Sequence, residues 1–242
     1  MQVMMFGGSD IGRVRKINQD YFFFNQAQGI AVVADGIGGR KGGEIASRTA
    51  VEEIKQSYLE CSALRAEEVP PFLTSAVDQA NKAILAKGRA DARVEGMGTT
   101  VDCLLFVGNH VYIAHVGDSR TYLYYKGNLW QLTLDHSIEV YVKRGWLPAE
   151  VLQKNSRPGA LVRAMGLSAT CETDIYDKAI RPGEIYLTCS DGLTGMVGDD
   201  KILKILTEQE HRLEAVPKIL MAEANRCGGK DNITVVLSKV VA

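Results

Sequence analysis

Four aspartates in this 242-residue chain stand where an apolar run meets a tight turn: "AVVADGIGG", "AHVGDSR", "LTCSDGL" and "GGKDNITVV". They are Asp35, Asp118, Asp191 and Asp231, each flanked by Gly, Ser or Asn. Any one of them is an ordinary turn residue, because Asp and Gly make turns throughout proteins. Four with the same surroundings carry a further implication. Strand ends on one edge of a packed sheet converge, and converging carboxylates repel unless a cation holds them. Oxygen ligands without His or Cys point to a hard divalent cation, Mg²⁺ or Mn²⁺. Two such ions about 4 Å apart repel by roughly 17 kcal/mol at an effective dielectric of 20, so several carboxylates are needed. "RVRKINQDYFFF" adds Arg15 five residues before Asp20 and just ahead of an aromatic strand, although a loop arginine is usually solvated.

Such groups need rigid elements behind them. One helix is predicted from Gly43 to Glu60, with Ala46, Ala50, Ile54 and Tyr58 at spacing four. A second follows the loop-like "EEVPPFL", with Leu73, Ala76, Val77, Ala80 and Ile84 as its stripe and Gly88 as its stop. "TTVDCLLFVG", "VYIAHVG", "TYLYYKGNLWQL", "EIYLTCS" and "NITVVLSKVV" read as strands, with "KGN" as a hairpin turn. Two more helices are expected near Asp199 to Glu208 and Ala215 to Arg226, with Pro217 in a first turn and Gly228 as a cap. Short links give antiparallel neighbours, so the class is α+β, packed antiparallel sheets with helices outside. Asp135 to Gly166 reads as a surface insertion.

Composition narrows the function classes. Hydrophobic residues at 46% and charged residues at 24% fit one soluble globular domain over residues 1–242. With 28 basic and 29 acidic side chains the chain has no net field for nucleic acid or an anionic membrane. No run approaches the ~18 apolar residues of a membrane span, and the start lacks the charge order of a signal peptide, so a cytoplasmic protein is expected. Cys61, Cys103, Cys171, Cys189 and Cys227 form no CxxC pair and read as reduced, mostly buried thiols. None has an arginine six positions on, which excludes a thiolate phosphatase of the Cys-x5-Arg kind.

"VRKINQD" resembles the R-x-x-N-E-D opening of the metal-dependent protein serine/threonine phosphatases of the PP2C type (the PPM family), in their bacterial form. "VADGIGGRKGGE" with its following Ala-Ser is similar to that family's DGMGG-x-x-GG-E-x-AS segment. "MGTTV", "HVGDSRTYL", "LTLDHS", "CSDGL" and "GGKDNITVV" follow in the family's order, covering about Gly8 to Val240.

The resemblance implies a four-layer α-β-β-α sandwich, two antiparallel sheets flanked by helices, with two Mn²⁺ or Mg²⁺ ions at one edge. On matching positions Asp35 bridges the ions and the Gly36 carbonyl binds one. Asp191 and Asp231 complete the first site, Asp20 is a ligand or supports one, and Asp118 with Asp191 makes a third position. A water shared by two ions then attacks phosphorus directly, while Arg15 grips the phosphate oxygens. Gln19 and Asn232 orient the ligands, Asn232 acting on Asp231, and Thr99 and Thr100 fix the strands beneath. The chain departs from the pattern at Gln19, which replaces a glutamate and loses a charge. It departs again at Ile37, where animal-type members carry a histidine that can donate a proton. His136 is expected to be structural. Residues 135–166 correspond to the family's flap, where Lys143, Arg144 and Trp146 either meet a phosphoprotein or form a solvated face. Phosphoprotein substrates, a cognate Ser/Thr kinase and a monomer are the implied partners and state. Two rivals are a phosphoprotein-binding module without hydrolysis and a hydrolase of small phosphate esters. The full set of aspartates argues against the first, and the absence of G-x-G-x-x-G and G-x-x-x-x-G-K-[ST] gives the second no nucleotide motif.

Overall fold

In a computed structural model of the chain, residues 2–37, 41–61, 63–154 and 159–241 are described. Strand β3 (Ile30–Asp35), with β1 (Gln2–Asp10) and β2 (Asp20–Asn25) before it, has both faces covered. Side chains alternate along a strand. Ile30, Val32 and Ala34 pack into one core with helices α1 (Gly43–Leu59) and α2 (Val69–Ala90). Ala31 and Val33 join a second core with Leu104, Tyr186 and Val236. A strand buried on both sides reads as a continuous apolar run, and "IAVVA" is that run.

The remaining elements complete two sheets. They are β4 (Val101–Val107), β5 (His110–Val116), β6 (Arg120–Tyr125), β7 (Asn128–Gln131), α3 (Ile138–Lys143) and α4 (Glu150–Lys154), then β8 (Asp174–Ala179), β9 (Ile185–Cys189), α5 (Asp191–Thr194), α6 (Asp199–Glu208), α7 (Val216–Arg226) and β10 (Ile233–Val241). One sheet has the order β1-β10-β9-β6-β7 and the other β2-β3-β4-β5-β8, and all pairs are antiparallel. Leu187, Val235 and Leu237 face Ile202 and Leu206 of α6 and Leu220 of α7, making the outer core on the first sheet. Three apolar layers separate four structural layers, the α-β-β-α sandwich expected.

Several local expectations are corrected. Gln2–Asp10, read only as a short apolar stretch, is a strand paired along its whole length with β10. Pro70 and Pro71 are not a loop but the first turn of α2, where a missing N–H costs no hydrogen bond. Gly88 does not stop α2. It is buried on the face of Ile84, and the helix ends only where Asp91 becomes extended at φ −135°. Gly228 ends α7 as expected: it follows Cys227 at φ 131°, and the Gly228 and Gly229 N–H groups donate to the Asn225 and Ala224 carbonyls. Cys103 and Cys189 are buried, but Cys227 is exposed. "KGN" is the expected hairpin turn, with Lys126 and Gly127 both at positive φ. The insertion carries α3 and α4 and closes on the sandwich through the bridge of Thr99 to Met165. Of the motifs singled out, Gly38, Gly39 and Arg40 of the glycine loop and Ser156 to Pro158 of the insertion lie outside the described residues. Among the described residues no helix is long and apolar enough to cross a membrane.

Candidate active site

The aspartates lie at one edge of the sandwich because the strands that carry them end there. Asp35 closes β3 and sits directly opposite Asp20, which opens β2. Asp118 follows β5, Asp191 starts α5 just after β9, and Asp231 stands just before β10. The site therefore draws Asp20, Asp35 and Asp118 from one sheet and Asp191 and Asp231 from the other.

Their backbones are held firmly. The Asp35 N–H donates to Thr100 Oγ1 at 2.9 Å, and Thr99 Oγ1 donates to the Asp35 carbonyl at 2.8 Å. Gly36 follows, and only glycine fits it: a Cβ there would lie 2.3 Å from the Gly43 carbonyl oxygen and 2.6 Å from that of Gln19. The same holds at Gly192, where a Cβ would be 1.9 Å from the Asn232 carbonyl oxygen. Asp20 Oδ2 accepts from Ser190 Oγ and Thr234 Oγ1, both at 2.7 Å, so the other sheet's hydroxyls hold it. Arg15 Nη2 donates to Asp231 Oδ2 at 2.6 Å, bringing the predicted phosphate ligand to the carboxylates.

Charge crowds here. Burial, then Asp20, Asp191, Asp118 and Asp231 in turn, push the Asp35 carboxyl well above the usual carboxylate range. Burial raises Asp20 to about 6, and burial with the charge of Asp191 raises Asp118 to about 7. Asp191 is raised by burial and by Asp231. Arg15 is the nearby cation, its own proton held by the bond to Asp231. Asp20 Oδ1 is buried with no hydrogen-bond partner, and a buried carboxylate oxygen left so is costly unless something positive meets it. An all-oxygen cluster with an orphaned buried oxygen fits Mg²⁺ or Mn²⁺. Among the described residues no three acidic, imidazole or thiol groups form a closed cage for one ion.

The protein phosphatase 2C family profile matches residues 8–223. The chain belongs to the protein phosphatase 2C family. It is 36% identical over 234 residues to the serine/threonine phosphatase stp of Listeria monocytogenes, covering 95% of this chain and 92% of that protein. Its fold is similar to the serine/threonine phosphatase PstP/Ppp of Mycobacterium tuberculosis, with TM-score 0.88, 31% identity and all of both chains covered. It is also similar to the catalytic domain of PstP in complex with two manganese ions, with TM-score 0.86, 32% identity, and 100% of this chain and 99% of that one covered.

Within this protein phosphatase 2C fold the other predicted residues take distinct places. Gln19 turns its Nε2 to Glu44 Oε2 at 3.1 Å, and its carbonyl accepts from Ser47 Oγ at 2.5 Å. Asn232 does more than expected. Its backbone N–H donates to Asp231 Oδ1, while its side chain donates to the Ile11 and Ile17 carbonyls and accepts from the Gln19 N–H at 2.8 Å. It thus clasps the loop that carries Arg15. His136 Nδ1 accepts from the Gly117 N–H beside Asp118, which leaves Nε2 to donate to Asp174 at 3.2 Å. Burial, then the neighbouring His115, lower His136 to about 4. His115 faces Asp102 through Nδ1 at 2.5 Å and the Leu134 carbonyl through Nε2 at 2.9 Å, surroundings that favour its protonated form. Burial opposes that charge, but Asp102 outweighs it and raises the imidazole. In the insertion, Trp146 is exposed with its edge on Tyr141, and Lys143 pairs with Glu139.

Sequence reasoning missed Ser190, Thr234, Ser47 and Glu44. A signal for two of them exists: Thr234 is the polar residue in the apolar run from Ile233 to Leu237, and Ser190 precedes Asp191.

Proposed function

We propose that this chain hydrolyses phosphoserine and phosphothreonine in proteins, with Mn²⁺ or Mg²⁺ that Asp35, Asp191, Asp231, Asp20 and the Gly36 carbonyl would hold. A third position between Asp118 and Asp191 belongs to the same reading. The observation that carries it is the gathering of Asp20, Asp35, Asp118, Asp191 and Asp231 from both sheets at one edge, where Asp35 feels the charge of the other four and Asp20 Oδ1 is buried without a partner. When bound, the ion pair supplies acidified water near neutral pH and offsets charge on the phosphate.

The chain's own residues do the rest. Arg15, tied to Asp231, presents a guanidinium fork shaped for phosphate oxygens. Thr99 and Thr100 keep the Asp35 main chain fixed, so the carboxylates need not reorganise during the reaction. Ile37 cannot protonate the leaving serine or threonine oxygen. Neither does His136, which is buried, neutral and engaged at both nitrogens. Phosphoproteins are the substrates, a cognate Ser/Thr kinase supplies them, and the chain acts as a monomer.

The test is dephosphorylation of a phosphothreonine peptide with and without Mn²⁺, by wild type and by Asp191→Ala. Turnover only with the ion, and a drop of at least 100-fold in the variant, is the result expected. Equal turnover in chelator, or an unaffected variant, overturns the assignment.

A further inference from the structure

A groove of about 660 Å³ is lined by Asp20, Tyr21 and Phe22 of β2, together with Ser9 and Asn18. Tyr21 and Phe22 point to opposite faces of the strand, so a cavity touching both runs along its edge. β2 is the end strand of its sheet, and among the described residues no strand pairs with its outer side. Natural edges are usually protected by Lys, Pro or bulges. "DYFFFN" has no Lys or Pro, whereas "DIYDKA" of β8 at the far edge carries Asp and Lys. The unprotected edge is thus the one that begins at a catalytic carboxylate.

The facing wall is α1, through two rows at spacing four: Glu44, Arg48 and Glu52, and Ile45, Thr49 and Glu53. Glu44 to Glu53 spans roughly 13 Å of helix, which matches about four residues of extended chain. Arg48 lies over the Tyr21 ring at 4.9 Å, and Lys87 is turned to Thr49 Oγ1 at 2.9 Å. Glu52 is engaged by Lys55 and Tyr21, and Glu44 by Gln19. Glu53 is half-buried and has no ion-pair or hydrogen-bond partner among the described residues. Of the three glutamates that line the groove, Glu53 is thus the one that no side chain engages among the described residues.

We propose that this groove receives the extended segment beside the phosphorylated residue, main chain against the open edge of β2 and a basic side chain against Glu53. Strand addition to an exposed edge supplies main-chain hydrogen bonds, and side-chain pockets supply selectivity. The proposal rests on the phosphatase reading above, because the groove matters only if phosphoprotein is turned over at Asp20's end of it.

The experiment uses the Mn²⁺-loaded protein and three kinds of substrate: phosphothreonine peptides with one lysine scanned along both flanks, matched peptides with glutamate, and p-nitrophenyl phosphate, which is too small to reach the groove. Wild type is expected to show a lower KM for lysine over glutamate at a position on one flank, by about five-fold. Glu53→Arg is expected to reverse that preference at the same position, and Glu53→Gln to abolish it, with kcat for p-nitrophenyl phosphate unchanged. N-methylation of the peptide backbone on the same flank is expected to raise KM. A variant that alters all peptides equally, or none, overturns the proposal. Absence of turnover of every substrate by wild type would instead overturn the phosphatase reading. If Glu53→Arg loses p-nitrophenyl phosphate turnover through misfolding, Glu53→Gln decides alone.

Discussion

In the proposed site, Arg15 and Asp231 tie substrate binding to ion binding at the level of single side chains. The guanidinium lies 2.6 Å from a carboxylate that is itself a proposed ligand, so it is steered by the same cluster that positions the ions. Arg15→Lys keeps the charge but loses the planar fork. It is expected to lower kcat/KM for phosphopeptides by ten- to a hundred-fold while Mn²⁺ affinity, read by titration calorimetry, changes far less. An equal loss of both would place Arg15 with the ligands instead. The acidic residues were legible because each ends an apolar run in a turn. The roles of Ser190 and Thr234 were not, because their polarity beside Asp191 and within an apolar run marks them as unusual but only the fold brings Asp20 to them.

At the level of elements, the site depends on backbones that approach too closely for any side chain. Gly192→Ala would drive a Cβ against the Asn232 carbonyl, an atom that cannot swing away. Overpacking of this kind costs about 1–3 kcal/mol. A melting temperature lowered by several degrees is expected, and an unchanged one would show that α5 can shift freely. The loop before Asp118 offers a pH test. His136 is held near 4 against about 6.5 unfolded, so its neutral form is favoured by folding. Its contribution is present above pH 6.5 and is lost as pH falls towards 4, up to about 3 kcal/mol. Comparing urea unfolding of wild type and His136→Gln at pH 4.5 and 7.5 isolates that slope, which the variant should lack. Helices with stripes and strands with β-branched runs were readable here. β1 and β8 escaped because methionines, glycines and paired aspartates give no strand signature, and α5 escaped because four residues give no period.

For the molecule as a whole, metal and proton compete for the same carboxylates. Asp20 and Asp118 are raised to about 6 and 7, so their protonated forms are favoured by folding. The stabilisation this gives is complete below about pH 4 and fades as pH rises through 6 and 7. An ion that favours the charged forms therefore stabilises most where protons no longer do. Mn²⁺ is expected to raise the melting temperature more at pH 8 than at pH 5, checked by scanning calorimetry with and without chelator, and an equal rise at both would count against it.

The chain visits the two sheets alternately, from β1 to β2–β5, then β6 and β7, then β8, then β9 and β10. Severing it between α4 and β8 would leave Asp20, Asp35 and Asp118 on one polypeptide and Asp191 and Asp231 on the other. Neither fragment owns a reaction centre, so mixing the two is the only route by which a nicked enzyme could work.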